Sequence, residues 1–222
     1  MLTCGNVGKT YATERGPVVA VRGIDLEIRR GEFAAIVGRS GSGKSSLMAM
    51  IGGLSRPSDG TVRIDDVDIW SLADDELTEF RSRRIGFVFQ FASLLPTLRI
   101  IDNVALPALL GRRTDADAAY GRAAHLLARL GLAAQLDAYP VELSSGQQRR
   151  AAIARALINE PSLLLADEPT SDLDEQTEAE IMAEFRDLNR DARMTFIMVT
   201  HNLRLAERAD RVLHIADGAL AS

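Results

Sequence analysis

The stretch "FAAIVGRSGSGKSSLMAM", Phe33 to Met50, decides the fold. It opens on five apolar residues, Phe33 to Val37. A short, continuous apolar run closed by glycine reads as a strand buried on both faces. Gly38-Arg39-Ser40-Gly41-Ser42-Gly43-Lys44-Ser45 then fits G-x-x-x-x-G-K-[ST], and Ser46 carries the loop into the helical run "SSLMAM". Glycines let successive backbone N–H groups point into one concavity, and a helix N-terminus adds positive potential there. Lys44 can reach β- and γ-phosphates, and the Ser45 hydroxyl suits Mg²⁺. A plain Gly/Ser-rich surface loop is the competing reading. The strand before it and the helix after it weigh against that.

Working outward, "SLLLAD" (Ser162 to Asp167) and "TFIMVT" (Thr195 to Thr200) repeat the pattern of a fully buried strand. "IDLEI" (Ile24 to Ile28) and "TVRI" (Thr61 to Ile64) alternate instead, as half-buried antiparallel strands do. Between two buried strands, Ile181, Phe185 and Leu188 fall at i, i+4 and i+7, which predicts an amphipathic helix. Buried strands joined by helices imply a parallel α/β sheet. From about Ala92 to Glu160 the chain is Ala- and Leu-rich, with helical spacing at Ala119, Ala123, Leu126, Leu127 and Leu130. We expect an α/β fold in one domain over residues 1–222. Its core covers about 1–90 and 161–222, and an α-helical subdomain is inserted over about 91–160.

The chain has 222 residues, 46% of them hydrophobic and 26% charged, which suits one core with a modest insertion. A net charge of −5 offers no general basic face for nucleic acid. Cys4 is the sole cysteine, so neither an internal disulfide nor a multi-cysteine metal site is available. No apolar run reaches the length of a membrane span, and the N-terminus lacks a signal-peptide core.

A second turn enters a helix at "VELSSGQQRRAAIARAL", Val141 to Leu157. Elsewhere, "LLLADEP" sets Asp167 at a strand end, where a carboxylate can hold the hydration shell of Mg²⁺. Glu168 follows and suits a general base that orients water at a γ-phosphate. Asp-Glu after a strand is otherwise a turn with solvated carboxylates. His201 stands at a third strand end, the edge at which open parallel sheets bind ligands. A lone histidine, taken by itself, is more often an ordinary surface or core residue than a catalytic one.

Together these residues resemble the ATP-binding-cassette ATPases over nearly the whole chain. The resemblance makes Gly38 to Ser45 the Walker A motif, with Lys44 catalytic, and "LLLAD" Walker B, with Glu168 the catalytic glutamate. It makes Leu143-Ser144-Ser145-Gly146-Gln147 the signature motif and Gln90 the Q-loop glutamine, a further Mg²⁺ ligand. Ser171-Asp172-Leu173-Asp174 becomes the D-loop and His201 the switch histidine. Tyr11 matches the aromatic that stacks on adenine, although an aromatic on an N-terminal strand also serves as packing. The implied fold is the phosphate-loop ATPase core with an N-terminal antiparallel β subdomain and a helical insertion. The implied ligands are ATP and Mg²⁺. The family dimerises head to tail, each signature capping the γ-phosphate held by the partner's phosphate loop, which gives the second turn its purpose.

"FVFQ" (Phe87 to Gln90), "LLPTL" (Leu94 to Leu98), "NVALP" (Asn103 to Pro107) and "ADEPT" (Ala166 to Thr170) look most like the lipoprotein-release and macrolide-exporter branch. The resemblance then implies a homodimer held by its permease at the cytoplasmic face of the inner membrane, with no direct nucleic-acid partner. The permease would dock near Gln90 to Leu98, where Phe91, Leu94, Leu95 and Leu98 fit either a docking surface or core. The alternative is a membrane-tethered, ATP-driven switch that controls a partner such as a cell-wall hydrolase. DNA-maintenance or translation ATPases fit poorly, since no coiled-coil insertion, zinc-hook cysteine pair or second cassette is present. Three residues depart from the family pattern. Ser145 replaces a glycine and would crowd a γ-phosphate if the backbone there needs positive φ. Arg39 replaces a common proline, and Asp172 adds a charge.

Overall fold

The computed structural model describes residues 1–14, 16–111, 115–171, 173–192 and 194–221. They form two compact units, Met1–Arg81 with Asn189–Ser222, and Ser82–Leu188.

In the first unit, period-two patterning builds one sheet. β1 (Leu2–Thr13) and β2 (Gly16–Ile28) form a long antiparallel hairpin with Leu2 opposite Ile28. β4 (Asp59–Ile64) lies on the other side of β1, with Leu2 opposite Ile64, and β5 (Val67–Asp68) completes the order β2-β1-β4-β5. Leu26, Ile28, Val62 and Ile64 are buried while Asp25, Glu27 and Arg63 face water, so the alternation marks one covered and one wet face.

The run Phe33–Val37 forms β3, and all five side chains are buried. Two strands pair with it in parallel, β8 (Thr195–Thr200) and β9 (Arg211–Ala216), and β10 (Ala219–Leu220) adds antiparallel to β9. Phe33 stands opposite Phe196, and their rings meet edge-on at 4.4 Å. Such a pair adds about 0.5–1.5 kcal/mol beyond area burial. β3 runs through the Gly-rich loop into α1 (Lys44–Ile51), which buries Leu47, Met48, Met50 and Ile51. A polar helix, α2 (Asp74–Arg84), and a short one after β8, α7 (Leu203–Ala206), were not evident in the sequence pattern. Nor were β9 and β10.

The second unit holds a parallel pair, β6 (Ile85–Val88) and β7 (Leu163–Asp167), with Ile85 opposite Leu163. Its helices are α3 (Ile100–Leu110), α4 (Ala116–Arg129), α5 (Ser145–Leu157) and most of α6 (Glu175–Ala192). Among the described residues from 92 to 160 there is no strand. α3, α4 and α5 pack on one another, and α5 also packs on β6. Ala119, Ala123, Leu127 and Leu130 line the buried side of α4, while Leu126 is half-buried. Ile181, Phe185 and Leu188 are buried along α6, with Met182 beside them.

Candidate functional site

The first unit carries the Gly-rich loop. Lys44 opens α1 and is buried, unusual for a lysine unless its amine is bonded. Its Nζ donates to the carbonyls of Gly38 (2.8 Å) and Arg39 (3.0 Å), which holds the side chain back across its own loop. Gly43 caps α1 at φ 101°, where an added Cβ would stand 2.2 Å from the Ala20 carbonyl. Only glycine allows that turn. The Ser42 hydroxyl is buried without a hydrogen-bond partner among the described residues, while Arg39, Ser40, Gly41 and Ser45 are exposed. A Gly-rich loop with a pinned cation and a helix N-terminus fits a polyphosphate. Tyr11 is part-exposed, its hydroxyl donates to Ser46 Oγ at 3.3 Å, and Lys9 Nζ sits 5.0 Å above its ring. His201 directly follows β8 and is exposed.

The second unit carries the other predicted residues. Asp167 ends β7. Glu168 follows with φ 46°, a left-handed backbone uncommon for a non-glycine residue, and its carbonyl accepts from Ser171 N at 3.1 Å. Ser171 Oγ is buried and has no hydrogen-bond partner among the described residues. Asp172 lies outside the described residues. Leu173 N donates to Thr170 O, and Asp174 caps α6, accepting from Thr177 N (3.0 Å) and Thr177 Oγ1 (2.6 Å). The Thr177 hydroxyl bond holds the Asp174 carboxyl below its usual range.

At the second turn, Ser144 is the N-cap of α5. Ser144 Oγ accepts from Gln147 N (3.3 Å) while Gln147 Oε1 accepts from Ser144 N (3.0 Å), a capping box. Leu143 is buried beneath it. Ser145 is the first helical residue and is absent from the described non-glycine residues of positive φ, so its side chain meets no backbone conflict. Gly146 is where small size matters: a Cβ would lie 2.7 Å from Thr177 Cγ2. Arg150 ties α5 to α6 through Glu180 (2.6 Å) and Glu184 (2.8 Å). Burial raises the Glu184 carboxyl above its usual range, and Arg150 opposes the rise.

Gln90 lies past the end of β6 and is exposed. Phe91 is 69% and Leu95 44% exposed, whereas Leu94 and Leu98 are half-buried, so the apolar residues of this segment divide between surface and core. Sequence reasoning missed what holds the segment: Arg149, Arg155 and Asn103. Only their polarity inside helices that are otherwise apolar on the buried side could have flagged them.

A strand, a Gly-rich loop with a self-anchored lysine and a following helix define a phosphate-loop nucleotide-binding protein. The chain belongs to the ABC transporter family, whose model matches residues 21–171. It is 44% identical to the "Lipoprotein-releasing system ATP-binding protein LolD" of Pseudomonas fluorescens, over 100% of this chain and 97% of that protein. It is also 44% identical to the "Macrolide export ATP-binding/permease protein MacB" of Syntrophobacter fumaroxidans, over 97% of this chain but 30% of that longer protein. Among solved structures, the ATP-binding cassette MJ0796, a dimer in a post-hydrolysis state bound to ADP and Pi, superposes with a TM-score of 0.93 at 39% identity, over 100% of this chain and 97% of that one.

Proposed function

We propose that this chain is the ATP-hydrolysing, nucleotide-binding subunit of a membrane-embedded ABC transporter or mechanotransmission permease, and that two copies close around two ATP molecules. The observation that carries the reading is Lys44 Nζ, drawn over its own Gly-rich loop by the Gly38 and Arg39 carbonyls, beside the helix start that Gly43 alone permits. Family membership and likeness to a dimeric cassette support it.

In this reading the loop from Gly38 through Ser46 binds the phosphates with its N–H groups, and Lys44 neutralises charge that develops at the γ-phosphate. Ser45, Gln90 and, through water, Asp167 would hold Mg²⁺, which would supply charge neutralisation to the phosphates. The exposed Ser45 hydroxyl and the strand-end carboxylate of Asp167 are oxygen donors of the kind Mg²⁺ selects. Glu168, on a backbone with φ 46°, accepts the proton of the attacking water. His201 contacts the γ-phosphate, and Tyr11 stacks on adenine. Leu143 to Gln147 present the capped start of α5 to the partner's nucleotide, and the D-loop from Ser171 to Asp174 joins the dimer contact. The permease docks near Gln90–Leu98, where Phe91 and Leu95 are exposed. The subunit is peripheral to the cytoplasmic face of the inner membrane. No described helix is long and apolar enough to cross a membrane.

Mixing two inactive chains tests the shared site. Lys44→Ala cannot hold phosphate, and Ser144→Arg blocks the cap, so each homodimer should fail to occlude ATP. In a mixed dimer both lesions fall in one composite site and the other is intact. Random mixing should therefore restore occluded nucleotide to about a quarter of the wild-type level, because half the dimers carry one intact site of two. No recovery in demonstrated mixed dimers would refute the arrangement.

A further inference from the structure

The chain from Phe89 to Arg99 runs between the end of β6 and the start of α3 without strand or helix. Its carbonyls therefore need partners from elsewhere. Arg149 Nη1 donates to Phe89 O and Nη2 to Gln90 O, both at 2.5 Å. Six residues further along α5, Arg155 Nη1 donates to Ser93 O (2.7 Å) and Nη2 to Ala92 O (2.8 Å). Beyond that, Asn103 of α3 donates to Leu95 O (3.0 Å), Leu98 O (3.0 Å) and Arg99 O (3.1 Å), and accepts from Leu95 N (2.7 Å). Two guanidinium forks and one amide thus hold the segment by its main chain.

Burial does not hold the near end of the segment. Phe89 and Phe91 are 42% and 69% exposed and Gln90 is exposed, whereas Arg149 beneath them is 5% exposed. Moving Gln90 would cost little apolar contact, so its position depends on the fork below it. A guanidinium presents two parallel donors in a fixed plane, and an ammonium cannot span two successive carbonyls that way. The same helix begins at Ser144 and is fastened to α6 by Arg150.

We propose that Arg149 is a positioning residue for ATP hydrolysis: its buried fork locks the backbone of Gln90 to α5, so the glutamine reaches the nucleotide's metal in a placement dictated by the helix that carries the Ser144 turn. This rests on the role given to Gln90 above. Arg149 is buried beneath that glutamine. It acts through Gln90, and Arg155 and Asn103 extend the same hold toward Arg99.

The test uses the full chain with Arg149→Lys and, as a neutral second variant, Arg149→Gln. Chymotryptic cleavage at the exposed Phe89 and Phe91 should quicken about tenfold, the equivalent of one lost net hydrogen bond on the segment's main chain. Affinity for a fluorescent ATP analogue without Mg²⁺ should stay within about twofold, since the Gly-rich loop is untouched. By contrast, kcat should fall about tenfold, and half-saturation by Mg²⁺ should rise several-fold, as expected for a displaced ligand. Unchanged cleavage in both variants would overturn the clamp. Quickened cleavage with wild-type kcat and Mg²⁺ dependence would overturn the positioning role. Loss of nucleotide affinity in step with thermal midpoint would show a general packing role and overturn it too. A wild-type chain that hydrolyses no ATP would instead remove the functional reading, while the cleavage comparison still judges the clamp.

Discussion

Alanine at Gly43, set beside alanine at Gly41, separates backbone strain from collision in the phosphate loop. Both glycines have positive φ, 101° and 78°. A left-handed backbone costs an alanine about 1–2 kcal/mol, or about 5- to 30-fold if the whole cost falls on nucleotide binding. At Gly41 nothing lies within 4 Å of the added methyl, so strain is the whole cost. At Gly43 the methyl would stand 2.2 Å from Ala20 O and 3.4 Å from Ala20 C. The first contact is about 1 Å inside an ordinary carbon–oxygen contact, and both sides are main chain that cannot rotate away. Overpacking of this kind costs a further 1–3 kcal/mol or so. The relief available is a shift of the loop, which pulls Lys44 Nζ off the Gly38 and Arg39 carbonyls. Gly43→Ala should therefore weaken ATP binding at least about fivefold more than Gly41→Ala, read by titrating a fluorescent ATP analogue into each purified variant. Equal losses, or a larger loss at Gly41, would refute the argument that the Ala20 carbonyl sets the loop's shape.

Two further outcomes follow from the site and its supports. Glu168→Gln should bind ATP as wild type does but stall hydrolysis and accumulate as a dimer in size-exclusion chromatography with ATP, because the amide cannot take a proton; a monomeric variant with normal turnover would remove Glu168 from its role. Asp102 is held below the usual aspartate range, chiefly by two bonds from Arg99 (2.8 and 3.0 Å), with Tyr120 adding a third at 3.0 Å. A depressed carboxyl stabilises the fold above the ordinary aspartate range and loses that contribution as pH falls through its folded value. The thermal midpoint of wild type should thus exceed that of Asp102→Asn at neutral pH, with the gap narrowing in acid; a gap independent of pH would exclude the linkage.

The sequence by itself determined the parts whose cause is local. Phe33 to Val37 must be covered on both faces wherever it lies, and the loop after it needs glycines whatever surrounds it, so strand, loop and helix were legible together. The same holds for α6, whose 3.6-residue period is set by its own side chains, and for the α5 turn, where Ser144 and Gln147 are three residues apart and cap each other. The polar helix α2 and the C-terminal strands β9 and β10 left no comparable signal. β9 exposes or half-exposes most of its residues, so no period marks it, and pairing with β3 defines it as a strand. Whether Ser145 conflicts with its backbone could not be read from residue type, because the answer is a dihedral angle. The need for glycine at Gly146 was equally hidden, since Thr177 creates it. The hold on Gln90 is the clearest case: Arg149 and Phe89 are 60 residues apart, and on sequence that arginine is one of a basic pair on a helix. Only packing α5 against β6 brings its guanidinium under two carbonyls that no strand or helix serves, because hydrogen bonds of that range exist only after the chain has closed on itself.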